Sequence, residues 1–241
     1  MRCAIMQPTY LPWLGYFDLI KQVDAFVLLD NVKLEKSSWQ VRNRIRSSQG
    51  ETMLTIPVSL EKSRLETCIN ETKINYSKPW TKKHLRTLEQ SYGKSLYFED
   101  FYPCIRNALT KDTLILSELT SSIIREIARF LGIHTPFYLS SELSGISGTK
   151  DERLVSICER FNAKTYYSPR GSSAYLDKVN YGGALTKAGI HVVYQDFKPI
   201  EYNQQYTPFI PYLSAIDAAF NCQKNEVLDL IDQGCETNWE L

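Results

Sequence analysis

Two polar-aromatic segments hold most of the residues in this chain that could do chemistry. The first is Gln7-Pro-Thr-Tyr-Leu-Pro-Trp-Leu-Gly-Tyr16. Pro8 and Pro12 fix φ and stiffen the loop. A helix beginning behind it would offer free N–H groups and a positive dipole end to an anion. Tyr10, Trp13 and Tyr16 could then stack on a base or sugar, with Gln7 beside them. The competing reading is a rigid turn whose aromatics pack into the core. The second segment is Ser38-Trp-Gln-Val-Arg-Asn-Arg44. Strand alternation would put Trp39, Val41 and Asn43 on one face and Gln40, Arg42 and Arg44 on the other. One amide and two guanidinium groups in a row suit a phosphate or carboxylate, because arginine donates bidentately. A solvated strand face is the alternative.

The remaining chemistry-bearing residues are scattered. Asp30-Asn31 closes an apolar run, and Asp217 and Asn221 form an i, i+4 pair on one helical face. That pair suits either a site or a plain intrahelical contact. His84, beside Lys82 and Lys83, reads on its own as a surface or internally satisfied histidine and stays among the candidate binding residues. There is no GxxxxGK[ST], no GxGxxG after a strand and no GxSxG. Gly145-Ile-Ser-Gly148 reads as a connection rather than a phosphate cradle. Cysteines at 3, 68, 104, 158, 222 and 235 have no CxxC spacing and the chain has three His, which argues against a zinc centre; no metal site is expected.

The elements that must position these groups follow from hydrophobic periodicity. Residues 2–7 and 25–29 read as buried strands around a helix that starts at Trp13, a βαβ unit implying a parallel sheet. In such sheets ligands bind beyond the carboxyl ends of strands, which brings Gln7–Trp13 and Asp30–Asn31 to one rim. Strands are expected at 38–45, 52–59, 73–76, 137–140, 165–167 and 191–194. Helices are expected at 80–92, 113–132, after Thr149, and from Ser214 to Asn221 and on toward Ile231. Thr113–Gly132 is the clearest, with Leu116, Leu119, Ile123, Ile127 and Phe130 on one face and Gly132 suited to its end. The expectation is a single α/β domain over residues 1–241, Rossmann-like, with a mainly parallel sheet, flanking helices and irregular insertions. With 28 basic against 27 acidic residues, a net charge of +1 provides no global field for nucleic acid or membrane. The apolar pattern begins at once, without a leader, and no run approaches the ~20 residues of a membrane span. A cytoplasmic protein with reduced cysteines is expected.

Taken together, MQPTYLPWLGYFDLI, DAFVLLDNV with SWQVRNRI, LTIPV, ERLVSICERFNAKTYYSP with the following AYL, and FIPYLSAIDAAFNC resemble the WbqC-like family, in the same order from Met1 to about Asn221. The resemblance implies a role in bacterial surface polysaccharide, in O-antigen loci with amino-sugar genes. One proposed chemistry is transfer of an acyl group such as glycine to the amine of a nucleotide-linked sugar. That reaction requires a base near the nitrogen. Asp30 is the leading candidate, a turn cap being its alternative role, and Tyr10 is the second. Arg42 and Arg44 would hold the nucleotide diphosphate or an acyl phosphate. Asp217 and Asn221 lie in the family-like tail. The family usually has Ser-Gly where this chain has Ser168-Pro-Arg170, so Ser168 and Arg170 could alter the acceptor. Trp13-Leu-Gly-Tyr16 also occupies the place of the HxGH motif of nucleotidylyltransferases and class I tRNA synthetases. With Trp and Tyr replacing the imidazoles, activation comes either from ATP and Mg²⁺ through Arg and Lys or from a preactivated acyl donor, aminoacyl-tRNA being one form. The alternatives are a non-catalytic nucleotide-sugar binding or assembly subunit, and a metal-independent glycosyltransferase.

Overall fold

The computed structural model describes residues 1–35, 38–60, 63 and 66–239. β1 (Arg2–Met6), α1 (Leu14–Lys21) and β2 (Ala25–Leu28) form the expected βαβ unit, with Cys3 level with Ala25 and Met6 with Leu28. β2 is buried throughout, as a strand covered on both faces must be. A long excursion follows: the antiparallel hairpin β3 (Arg42–Ser47) and β4 (Gly50–Thr55), the short pair β5 (Val58–Ser59) and β6 (Lys73–Ile74), and the helices α2 (Trp80–Tyr92), α3 (Phe98–Leu109) and α4 (Leu116–Leu131). The chain then returns to the sheet with β7 (Phe137–Leu139), α5 (Lys150–Arg160), β8 (Thr165–Pro169), the short helices α6 (Ser173–Leu176) and α7 (Gly183–Lys187), and β9 (His191–Gln195). α8 (Ala215–Asn221) and α9 (Lys224–Gly234) follow.

The five strands of the main sheet are parallel, in the order β7-β2-β1-β8-β9. This is a Rossmann-like α/β fold with insertions. The chain winds outward from β1 through β2 to β7, then crosses back to β8 and β9. The switch point therefore lies between β1 and β8, where the carboxyl ends leave a crevice. α1 is fixed over the sheet by its buried Asp18, whose Oδ2 accepts hydrogen bonds from Tyr167 of β8 (2.8 Å) and Gln195 of β9 (2.6 Å).

Three expectations need correction. The 52–59 strand is two pieces, because Pro57 has no N–H to continue the ladder. Strand geometry begins only at Arg42, so alternation cannot be extended back to Trp39 and Gln40. And α3 was not anticipated: it carries Pro103 in its interior, where burial of Phe101, Ile105, Ala108 and Leu109 outweighs the lost hydrogen bond. Among the described residues, no helix is long and apolar enough to cross a membrane.

Candidate functional site

A cleft of two adjoining lobes opens at the carboxyl end of β1. The aromatic lobe, about 360 Å³, is walled by Trp13, Tyr16, Trp39 and Tyr212, with Met6 at its base. The polar lobe, about 280 Å³, lies over the β1–β8 crevice and presents Gln7, Glu35, Gln40, Ser172 and Tyr175. Met6, Thr9 and Trp39 belong to both. These volumes lie near the lower end of the ~300–1,000 Å³ range of small-molecule sites. Thr9 Oγ1, at the junction, is buried without a hydrogen-bond partner. Buried polar groups are rarely left so, which suits a position that a ligand completes.

The loop from Gln7 to Trp13 owes its shape to a reversal at Leu11, whose φ of 48° lies in the left-handed region that disfavours a side chain. Asn43 Nδ2 holds that turn by donating to the carbonyls of Tyr10 (3.1 Å) and Leu11 (2.7 Å). The Tyr10 N–H donates to the Trp39 carbonyl, and Ser214 bridges Trp13. Tyr212 is also left-handed, φ 59°, so strained backbone flanks the aromatic lobe on both sides, as is common at binding sites. Gly15 is required by Trp13, because a Cβ there would lie 2.3 Å from the indole. The indole packs edge-on against Phe197, ring centres 5.3 Å apart, and beside Tyr212 at 5.5 Å.

Of the residues singled out from sequence, Gln7, Trp13, Tyr16, Trp39, Gln40, Asn43 and Arg44 line the cleft. Their arrangement differs from the expected row. Gln40 is buried and Trp39 is half exposed, the reverse of what burying the Val41 face would give. Arg44 is not a free cation: Nη1 lies 3.0 Å from both Glu51 carboxylate oxygens, Nη2 donates to the Tyr212 carbonyl, and the guanidinium stands over the Trp39 ring at 5.5 Å. It braces two walls of the aromatic lobe. Arg42 shares its strand face but lines neither lobe.

Other candidates lie elsewhere. Tyr10 is fully buried and bonds to His84 Nδ1 at 2.8 Å. Burial draws the His84 pKa down to about 4, with Lys83 adding to the shift, so the imidazole is neutral; burial also raises the Tyr10 phenol. Neither faces the cleft. Asp30 is buried and caps the 3₁₀ turn after β7, accepting from Ser140 Oγ (2.9 Å), Ser141 N (2.9 Å) and Ser141 Oγ (2.6 Å). Asn31 accepts from Ser140 and Arg153 beside it. Both stand just beyond the carboxyl end of β2, but they are engaged with the 3₁₀ turn and line neither lobe. Ser168 is buried in β8, and Arg170 is exposed beyond it without lining a lobe. Asp217 is the centre of a buried network, accepting from Tyr92 (2.7 Å), Tyr202 (2.6 Å) and Gln204 (3.0 Å). Its carboxyl is raised by burial, which those hydrogen bonds partly oppose. Asn221 bonds back to its carbonyl and borders a separate hollow beside Tyr97 and Cys222. Among the described residues, no three His, Cys, Asp or Glu side chains form a metal site.

Sequence reading missed Glu35, Thr9, Tyr175 and Tyr212. Tyr212 lies within the family-like FIPYL segment, Thr9 within MQPTYL and Tyr175 within AYL, but none was singled out there; Glu35 sits in an irregular stretch with no periodicity to mark it.

The fold and cleft define a Rossmann-like α/β protein with a crevice at its topological switch point. The profile of the WbqC-like protein family matches residues 7–228, and the chain belongs to that family. An uncharacterized protein of Mycobacterium tuberculosis strain H37Rv is 33% identical over 222 residues, covering 91% of this chain and 93% of its own length. No solved structure matches.

Proposed function

We propose that the cleft binds a nucleotide-activated amino sugar in the cytoplasm, for surface-polysaccharide synthesis, and that the protein transfers an acyl group, such as glycyl, to the sugar amine. The observation that carries this reading is the junction, at the switch point, of an aromatic lobe with an amide-lined polar lobe. Aromatic faces suit the apolar face of a sugar ring or a base, and fixed amides suit hydroxyl and carbonyl groups. The family resemblance supplies the substrate class. The aminoacyl donor in this reading arrives preactivated, because Tyr16, at the second position of the HxGH-like segment, is buried with its hydroxyl donating to the Gln7 carbonyl (3.0 Å). A neutral phenol so engaged cannot stand in for a charged imidazole.

The test is titration calorimetry of purified protein with UDP-glucosamine, UDP-galactosamine and a dTDP-linked amino-dideoxyhexose, followed by mass spectrometry of the sugar after incubation with activated glycyl donors. Saturable binding and an N-glycyl product support the reading. Binding without turnover reduces the protein to a carrier of the sugar nucleotide, and no binding by any member of the panel overturns the reading.

A further inference from the structure

The polar lobe contains a relay whose polarity can be deduced. The Glu35 backbone N–H donates to Gln40 Oε1 (3.0 Å), which fixes the Gln40 amide with its nitrogen pointing away. That nitrogen donates to Gln7 Oε1 (2.6 Å), so the Gln7 amide is fixed in turn. Its NH₂ group is left over as a donor at the end of β1, and Gln7 lines the lobe. Gln40 is buried and its amide is used on both sides, so neither orientation can reverse without opposing two like groups.

The charge of the lobe is equally definite. Among its described lining residues Glu35 is the one Asp, Glu, Lys, Arg or His; Tyr166 and Tyr175 stay neutral, each phenol being raised by burial. Glu35 forms no ion pair among the described residues. The nearest guanidinium in the cleft, Arg44, is neutralised by Glu51. A lone carboxylate at the edge of the lobe attracts an ammonium group and repels phosphate.

We infer that the polar lobe is the amine subsite: the Glu35 carboxylate receives the amino group of the sugar, and the Gln7 amide donates to a neighbouring ring substituent oxygen. This rests on the amino-sugar reading and deepens it. The diphosphate lies outside the polar lobe. Glu35, rather than Asp30, takes one proton from the ammonium; the freed nitrogen lone pair bonds the acyl carbon of the preactivated donor, and the bond from that carbon to the activating group breaks, the group leaving with its electron pair and the second amine proton.

Matched amine and hydroxyl ligands test the assignment: UDP-glucosamine against UDP-glucose, UDP-galactosamine against UDP-galactose, and the dTDP-linked amino-dideoxyhexose against its hydroxyl counterpart. The wild-type protein should prefer the amine of at least one pair by roughly tenfold or more, the scale of one charge-assisted hydrogen bond. Glu35→Gln, an isosteric change, should abolish that preference, read as the ratio of amine to hydroxyl affinity within the variant. Gln7→Leu should weaken both members of the pair alike, because the oxygen it bonds is common to both. Binding with no amine preference, or a preference that survives Glu35→Gln, overturns the subsite and leaves the amino-sugar reading standing. Failure of every ligand to bind overturns both.

Discussion

His84 is a neutral imidazole wedged behind the cleft, and acid should withdraw stability through it. Its pKa falls from 6.5 to about 4, chiefly because burial penalises the cation. Nδ1 and the fully buried Tyr10 hydroxyl are hydrogen-bonded at 2.8 Å, and a bond to the Thr55 backbone opposes the shift only in part. Because the folded pKa is depressed, the unfolded chain binds a proton that the native state refuses between about pH 6.5 and about pH 4. The contribution is complete above that window and is lost as pH falls through it. At about 1.4 kcal/mol per unit, the displacement amounts to roughly 3 kcal/mol. The cleft should respond too, since the Tyr10 N–H and carbonyl anchor Trp39 and Asn43. Urea unfolding of wild type and His84→Gln, followed by circular dichroism at about pH 7.5 and about pH 4.5, isolates this group. The stability difference between the two proteins should shift by roughly 3 kcal/mol in favour of the variant on acidification. Parallel pH profiles for wild type and variant would refute the reasoning.

Three shorter predictions follow. Gly15→Ala should displace the Trp13 indole, setting an overpacking cost of about 1–3 kcal/mol against a helix-propensity gain of about 1 kcal/mol; the tryptophan emission should shift and ligand binding should fall, and a stabilised variant with unchanged emission and binding contradicts this. Asp217→Asn puts an amide nitrogen where Tyr202 and Gln204 need an acceptor or breaks the bond from Tyr92, and should cost about 3–5 kcal/mol by urea unfolding; a loss below about 1 kcal/mol would show that the network is replaceable. Incubation with ATP, Mg²⁺, amino acids and an amino-sugar nucleotide should release no AMP or ADP, whereas stoichiometric release with acylated sugar disproves the need for a preactivated donor.

What the sequence disclosed and what it hid divide along a physical line. Continuous apolar runs at β1 and β2 and the 3.6-residue stripe of α4, with Gly132 left-handed at its end (φ 77°), are local signals, and each marks the element observed. Local signals failed where a proline spoke against tertiary burial, as at Pro103, or broke an apparent strand, as at Pro57. The carboxyl edge of the sheet could be placed because topology alone dictates it. The facing of each side chain on that edge could not. At Leu11 the backbone turns left-handed, and this cancels any periodic rule across the loop: Tyr10 goes inward to His84, 74 residues away, while Trp13 turns out into the cleft. Gln7 and Gln40 were singled out for a ligand, yet part of their bonding is spent on each other across 33 residues. That mutual bond is what converts two freely flipping amides into one fixed donor. The same argument explains why the guanidinium row misled: arginine spacing on a strand predicts which side chains share a face, but the partner that neutralises one of them, Glu51, is set by the register of the hairpin. Among the described residues that line the cleft, the one guanidinium is thus already paired, and that pairing is one that only the folded chain makes.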